Sequence, residues 1–435
     1  MGMIPQQWKR LGVRILTGVA VPLFLPAGMC LAGEDNWPVP IDSVIASAPA
    51  APASPLTVQD CLRIAGEKQP ALAAYRASLA AANEAKRGVD HLLVPTFIQR
   101  DLPIRRQQAC LGVQLASAGL TQAEWDTSYA VVRTYYGVIY AREQLGVAKN
   151  VAESLKFYRD RVKEMVAKGE SREHTQSTVD KISLYLSLAE TRQAEAQRGI
   201  DRATSALREA TGLSPETPVI LPDIKMPTPT AQVNKDSVIA MALERRGEIA
   251  QVNAAAEAVE LEVCAQSKTH MPTAKTFAAA SDVHARPVPQ GHANGDYRPG
   301  AISLEMPTHL VGPKFSRVER ARNFSARAQA VVEKTRNLIA LEADDAFLKW
   351  QEALTKLPMV KAAADAGARL SKNTRDDFGS GQKVKIDDIL TNEVLAGQAI
   401  ASYNETVYTQ IIALAGLQRV TAGGFDAGFG GMFSH

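Results

Sequence analysis

The strongest constraint on this chain is a run of helix-forming residues far longer than the helices of a compact domain. Residues 315–377 form such a run, interrupted only by Pro358. A single helix of this length would measure about 95 Å at ~1.5 Å per residue, whereas an average helix has about 11–12 residues. Because proline removes a backbone hydrogen bond, we expect a kink near Leu354. The run predicts a rod or a tube wall rather than a compact enzyme core.

The same order of elements occurs twice along the chain. In each half, the sequence predicts a helix, an extended pair of segments, a long helix, a glycine turn and a returning helix. The sequences also correspond: "LREATG" at 207–212 parallels "LQRVTAGG" at 417–424, and the Ala-rich stretch at 68–85 parallels the one at 245–262. Chance similarity between Ala-rich helices is the alternative, but the shared order of five elements favours a duplication.

A heptad-like seam marks the first long helix, which we predict from about Leu120 to Lys168. Its apolar residues are spaced by threes and fours with one interval of seven, as in coiled coils and other helices packed at shallow angles. A helix from about His174 to Thr211 follows, with Gly212 as its C-cap. The seam comprises Val131, Tyr135, Val138, Leu145, Ala148, Ala152, Leu155, Tyr158, Val162 and Met165.

Residues 1–32 have the pattern of a cleaved secretory signal peptide. A basic stretch precedes an apolar core of 11 residues at 15–25, which is too short for a permanent transmembrane helix. Small residues then precede a cleavage point after Ala32. Attachment of a lipid at Cys30 is the alternative, although Met29 is bulkier than the residue usually found there.

The remaining boundaries follow from proline, alanine and glycine content. A Pro/Ala-rich linker occupies 33–55, and a Pro-rich connection occupies 213–233. We predict a first repeat at 56–212 and a second repeat at 234–424, followed by a Gly-rich tail at 425–435.

Composition and motifs exclude several function classes. A formal charge of +3 is too small to indicate a nucleic-acid partner. The cysteines outside the signal peptide show neither a disulfide framework nor metal-ligand spacing, and no catalytic motif is present. We therefore predict no enzyme activity, no catalytic residue, no cofactor and no resident metal. For His284, His292 and His309, a metal site is the alternative to exposed loop positions.

Several stretches in combination resemble the TolC-like outer-membrane efflux family. "LTVQDCLRIAGEKQPALAAYRA" resembles its first helix, and "PGAISLEMPTHLVGPKFSRVERAR" at 299–322 resembles its strand, proline, glycine and long helix. "FGSGQKVKIDDIL" at 378–390 resembles its hairpin glycine and acidic helix start, and "NETVYTQIIALAGLQRVTAGG" its closing helix. Together these similarities cover about 57–424.

The resemblance implies a mainly α fold in which duplicated long-helix hairpins form the wall of an α-helical tunnel. It implies a homotrimer whose chains each add two short β-strand pairs to a shared barrel in outer-membrane lipid. The implied function is the exit duct of a tripartite efflux or type I secretion system, with a periplasmic adaptor and an inner-membrane pump of the RND or ABC type as partners. The alternative is a periplasmic helical scaffold that has lost a functional membrane barrel.

The strands are where the sequence departs from the family. A membrane strand needs about 9–11 residues of alternating character. The pair predicted in the first half, "FIQRDLPIRRQQACLGVQLA", contains Pro103, which lacks a ladder donor. It also contains three arginines that are costly when they face lipid, Arg100, Arg105 and Arg106. We therefore expect a degenerate barrel, with strands that are short, imperfect or missing.

Two glycine-containing turns are predicted at the tips of the hairpins. Gly169 ends the long helix of the first half, and Gly379 and Gly381 follow that of the second half. The resemblance implies that both tips lie at the periplasmic entrance of the tunnel.

Asp387 and Asp388 begin the helix after the second tip. The simpler interpretation is that these acids stabilise the start of the helix, because negative charges in the first turn interact favourably with the positive end of the helix dipole. The resemblance implies a gate, in which three copies of Asp387 form a cation-selective ring. Asp388 should face about 100° away from Asp387. We expect a weak acidic ring, because Leu390 occupies the family's second acidic position and Thr175 matches Asp387 in the first half.

Overall fold

The computed structural model describes residues 55–95, 97–169, 175–229, 231–270, 284–285, 300–301, 310, 312–380 and 384–429. All of them lie in one compact unit, Pro49–His435. The predicted signal peptide, Cys30 and Gly381 lie outside the described residues.

The described part of the chain contains eight α-helices, which follow one another in two similar sets of four. The first set is α1 (Val58–Lys68), α2 (Pro70–Asp90), α3 (Leu102–Lys168) and α4 (Gln176–Thr211); the second is α5 (Lys235–Arg245), α6 (Gly247–Lys268), α7 (Lys314–Gly379) and α8 (Ile386–Val420). Their lengths are 11, 21, 67 and 36 residues in the first half and 11, 22, 66 and 35 in the second. At ~1.5 Å per residue, α3 and α7 are each about 100 Å long.

Two short strands lie between α6 and α7. They are β1 (His284–Ala285) and β2 (Gly300–Ala301), and they pair antiparallel with His284 opposite Ala301. None of the described helices combines the length and apolar character needed to cross a membrane.

The prediction of an extended pair in the first half is wrong, because residues 102–119 belong to α3. Pro103 stands in the first helical turn, where its missing N–H has no intrahelical partner to lose. The helical spacing puts Arg105 and Gln108 on one face, toward α6. There Arg105 is ion paired with the buried Glu262, and Gln108 Nε2 donates to a Glu262 carboxylate oxygen at 3.0 Å. Glu262, which is distant in sequence and belongs to no local pattern, thus stabilises residues 102–119 as helix.

The three arginines of this region all contact protein groups. Burial by itself lowers the pKa of Arg105, but its hydrogen bonds and ion pairs with Glu262 and Asp101 outweigh this, so the net pKa is raised. Arg106 Nη2 donates to two carbonyl oxygens at the end of α2, at 3.1 and 3.2 Å, and so caps that helix. Arg100 Nη1 lies 3.3 Å from a ring nitrogen of His270.

The long helices are joined by the shorter ones that pack between and beside them. α3 packs against α2, α4, α6 and α8, and α7 packs against α5, α6 and α8. Both α6 and α8 therefore pack between α3 and α7, each along a different part of these two long helices. The main hydrophobic core lies where α1, α3, α5, α7 and α8 meet, and it includes Cys61, Tyr135, Ile139, Val238, Ile339 and Leu414.

A chain of ion pairs ties four helices and the α5–α6 junction together beside this core. Arg246, between α5 and α6, is 1% exposed and contacts Glu342 of α7 at 2.5 Å and Glu248 at 3.1 Å. Glu342 also contacts Arg419 of α8 at 2.5 Å, and Arg419 reaches Asp126 of α3 at 3.1 Å. Glu342 therefore connects two arginines from different helices.

Gly212 ends α4 as a left-handed C-cap, as predicted. Its φ is +70°, and its N–H donates to the carbonyl oxygens of Arg208 and Glu209. A Cβ placed on this residue would lie 2.5 Å from the carbonyl oxygen of Lys68 and 2.7 Å from Cα of Gln69. The close approach holds the α1–α2 junction against the end of α4.

Candidate functional site

The candidate site is the pair of hairpin tips. Gly169 follows α3 with a φ of +66°, and its N–H donates to the carbonyl oxygens of Met165 and Val166. Gly379 is the last residue of α7 and is not left-handed; Ser380 follows it as the C-cap. Of the predicted turn glycines in the described residues, Gly169 alone adopts the left-handed conformation.

The two tips are joined by a hydrophobic cluster, which we call the tip core. It is built from α3, α4 and α8, and Phe378 of α7 packs against it. The ring of Phe378 meets that of Tyr158 edge to face, with centroids 5.3 Å apart. The tip core contains Leu155, Tyr158, Val162, Val179, Ile182, Leu186, Ile386, Ile389 and Leu390, together with Ala152 and Ala189. The end of each hairpin is therefore packed against the other.

Asp387 lies on the surface of the tip core and bridges the two hairpins. Its Oδ1 is 2.5 Å from Nζ of Lys181 in α4, and the side chains are 68% and 46% exposed respectively. The hydrogen bond to Asp387 raises the pKa of Lys181 above the usual value of a lysine. Exposed pairs of this kind contribute little to stability. The contact can therefore break without unfolding the tips.

Asp388, the other predicted gate residue, takes no part in the ion pair of Asp387, and the two positions at which an acid was predicted to be missing are Thr175 and Leu390. Asp388 is exposed in the first turn of α8, where its N–H donates to the carbonyl oxygen of Lys385 at 3.1 Å. Thr175 is the N-cap residue of α4. Leu390 is 2% exposed within the tip core, so a carboxylate at this position would be buried. The absence of a second acid at Leu390 thus has a packing reason.

Glu393, one turn beyond Leu390, was missed by the sequence reasoning. It is 3% exposed, and its Oε1 accepts hydrogen bonds from Tyr158 Oη at 3.3 Å and Ser371 Oγ at 2.8 Å. Burial, followed by the charge of Glu393, raises the pKa of Tyr158. These bonds link α3, α7 and α8 behind the tip core. The signal in the sequence was an acid four residues after Ile389, on the apolar face of α8.

A substitution at Leu390 tests this packing. Leu390→Asp should lower the free energy of unfolding by about 2–3 kcal/mol, because it buries a charge without a partner near a helix end that can relax. Urea unfolding followed by circular dichroism measures the change. Leu395→Asp is the matched control, because Leu395 lies on the same helix and is 51% exposed. Equal losses for the two variants would contradict the burial of Leu390.

The described residues at the tips also include a cation–π contact, in which Cζ of Arg375 lies 4.7 Å from the ring centroid of Phe157. They contain no group of three or more His, Cys, Asp or Glu side chains that could hold a metal ion. The arrangement is therefore a packed core, one exposed ion pair across two hairpins and one buried carboxylate. The packed core holds the two hairpin ends together, and the exposed ion pair is a contact that can break when they separate.

Comparison with known proteins relates the fold to a class of channels. No protein-family model matches the sequence, and no curated protein matches it either. Solved structures do match. The outer-membrane channel OprN is 14% identical, with a TM-score of 0.68 over 84% of this chain and 90% of its own.

Two further structures agree with this match. The outer membrane protein VceC from Vibrio cholerae is 14% identical, with a TM-score of 0.66 over 85% of this chain and 97% of its own. The CmeC outer membrane channel of Campylobacter jejuni is 12% identical, with a TM-score of 0.64 over 92% of this chain and 95% of its own. The chain therefore has the TolC-like fold of outer-membrane channels, and its helices correspond to their helical part.

Proposed function

We propose that this protein is an exported channel of the outer membrane and periplasm, and that it acts as the exit duct of a tripartite efflux or type I secretion system. The observation that carries the proposal is the TolC-like fold, which matches solved outer-membrane channels along 84% or more of this chain. The paired helices of about 100 Å suit a wall that reaches across the periplasm.

A homotrimer is part of the proposal. One chain leaves large apolar side chains exposed on helix faces, including Leu184 and Leu188 of α4 and Tyr75 of α2. Side chains of this type are usually covered by a partner when they form a patch. Three copies would close the wall into a tunnel, whose proposed partners are a periplasmic adaptor and an RND- or ABC-type inner-membrane pump. Outer-membrane lipid would surround strands from the segment between α6 and α7.

Conductance in planar bilayers tests the channel. We expect purified protein to give discrete conductance steps, and deletion of its gene to reduce export of the transported compound. Absence of channels together with unchanged export would contradict the proposal.

A periplasmic scaffold is the second candidate, and one observation favours it. The connection between α2 and α3 has 11 residues, from His91 to Asp101, and two membrane strands of about 9–11 residues each do not fit in it. Each chain therefore supplies at most one strand pair, from the segment between α6 and α7. Cell fractionation separates the candidates: release of the mature protein with the soluble periplasm supports the scaffold, and retention in outer membranes supports the channel.

We propose that Asp387 and Lys181 together form the gate. In a trimer, three such ion pairs would surround the tunnel mouth, and breaking them would free the start of α8 from α4. A ring of carboxylates favours cations. Because each Asp387 is paired with a lysine, the selectivity of the closed ring should be weak.

Asp387→Asn tests the gate. We expect it to lower the cation-to-anion permeability ratio by about twofold, because it removes the ring's negative charge and leaves Lys181 unneutralised. The measurement is the reversal potential across a bilayer in asymmetric salt. Asp388→Asn is the matched control, since it removes the same charge one residue along and outside the ion pair. Unchanged selectivity in Asp387→Asn would reduce Asp387 to a helix-start residue.

A further inference from the structure

The most exposed apolar side chains of the first half lie in the connection between α2 and α3, residues 91–101. Leu93, Phe97 and Ile98 are 96%, 75% and 67% exposed. All three lie in the short connection between these two helices. A globular surface seldom presents such large apolar groups together without a partner.

This connection lies at the same end of the molecule as the segment that leads from α6 to α7. Arg100 lies 3.3 Å from His270, which follows α6. Arg317 of α7 donates to the carbonyl oxygen of Thr269 at 2.8 Å. Phe315, in the first turn of α7, is 78% exposed. Phe315 of the second half therefore lies at the same end as Leu93, Phe97 and Ile98 of the first, opposite the hairpin tips.

The charges at this end are predominantly positive on the surface. Arg100 and Lys268 are exposed. Two nearby carboxylates are already in ion pairs: Asp90 pairs with Lys86 at 2.8 Å, and Asp101 pairs with Arg105 at 3.1 Å. Apolar side chains flanked by cations are the combination that binds an anionic lipid surface at the headgroup level.

We infer that the described residues of this connection, 91–95 and 97–101, form an interfacial contact with anionic lipid. Leu93, Phe97 and Ile98 enter the headgroup region, while Arg100 and Lys268 remain at lipid phosphates. The connection is too short for a strand pair that crosses the bilayer, so it lies on the membrane surface. This inference rests on the proposed outer-membrane location, and it assigns the first half a different membrane contact from the second.

The test uses the full mature chain with a fluorescent label at one position. The cysteines outside the signal peptide are replaced by alanine, and Phe97→Cys is labelled with the environment-sensitive dye NBD. The protein is reconstituted in vesicles of phosphatidylethanolamine and phosphatidylglycerol. Met359→Cys is the control, because Met359 is 66% exposed within α7, far along that helix from its first turn.

We expect the label at Phe97 to shift to the blue and to be quenched at least about twofold more than the label at Met359 by nitroxide-bearing lipids, as for an interfacial side chain. Quenching should fall in vesicles of neutral phosphatidylcholine, and a signal independent of headgroup charge would overturn the role given to the cations. An aqueous spectrum at Phe97 overturns the inference. A blue shift without nitroxide quenching also overturns it, because it indicates a protein partner.

These outcomes are separable from those of the channel proposal. Conductance with an aqueous label at Phe97 leaves the channel standing and removes the interfacial contact. A quenched label at Phe97 in a protein without conductance supports the interfacial contact and contradicts the channel.

Discussion

Glu342→Ala should lower the free energy of unfolding by about 4 kcal/mol. Glu342 neutralises two arginines at once, Arg246 at 2.5 Å and Arg419 at 2.5 Å. Arg246 is 1% exposed, so it cannot recover hydration when the carboxylate is removed. Removing one partner of a buried ion pair typically costs about 3–5 kcal/mol for this reason. Urea unfolding of purified protein, followed by circular dichroism, measures the change.

Two further variants separate the burial of charge from the loss of contacts. Glu352→Ala is the control, because Glu352 pairs with Lys356 on the same helix in a largely exposed position, and it should cost less than about 1 kcal/mol. Replacing Arg246, Glu342 and Arg419 together by methionine should recover part of the loss, because no buried arginine then lacks Glu342, and the two acids that lose an arginine, Glu248 and Asp126, are 17% and 50% exposed. A loss below about 1 kcal/mol in Glu342→Ala would mean that Arg246 is adequately neutralised by Glu248.

The helical part of the fold could be predicted because its signals are local. Gly212 placed the end of α4, and the acidic pair that begins with Asp387 placed the start of α8, each within one residue of the observed bound. The segment 102–119 could not be predicted in the same way. Its proline and arginines argue against a membrane strand, but the group that stabilises it as helix is Glu262, which is distant in sequence from Arg105.

The sequence could identify a residue of the site, Asp387, but not the residue that pairs with it. Asp387 was identified from its place after a hairpin turn, and the structure puts it on the surface between two hairpins. Its partner Lys181 lies on a helix of the other half, where no spacing rule connects the two. The same holds for Glu393, since its donors Tyr158 and Ser371 come from α3 and α7. Pairings across the repeat require the packed structure.

Gly212→Ala should be the most damaging of the glycine substitutions considered, with a loss of about 4 kcal/mol. Gly212 and Gly169 both end helices with left-handed backbones, at φ of +70° and +66°, and alanine in this conformation costs about 1 kcal/mol. At Gly169 a Cβ would meet nothing within 4 Å, so Gly169→Ala should lose about that amount. At Gly212 it would lie 2.5 Å from the carbonyl oxygen of Lys68, so the α1–α2 junction must also separate from α4.

Asparagine distinguishes backbone strain from overlap, because it tolerates the left-handed conformation better than alanine but still carries a Cβ. Gly169→Asn should therefore be nearly neutral, whereas Gly212→Asn should remain destabilised by about 3 kcal/mol through overlap with the backbone at Lys68. Thermal unfolding of the four purified variants gives the comparison, and the yield of folded protein gives a second readout if Gly212→Ala does not fold. If asparagine rescued both positions equally, strain alone would explain Gly212, and the close contact between α4 and the α1–α2 junction would not be needed for stability.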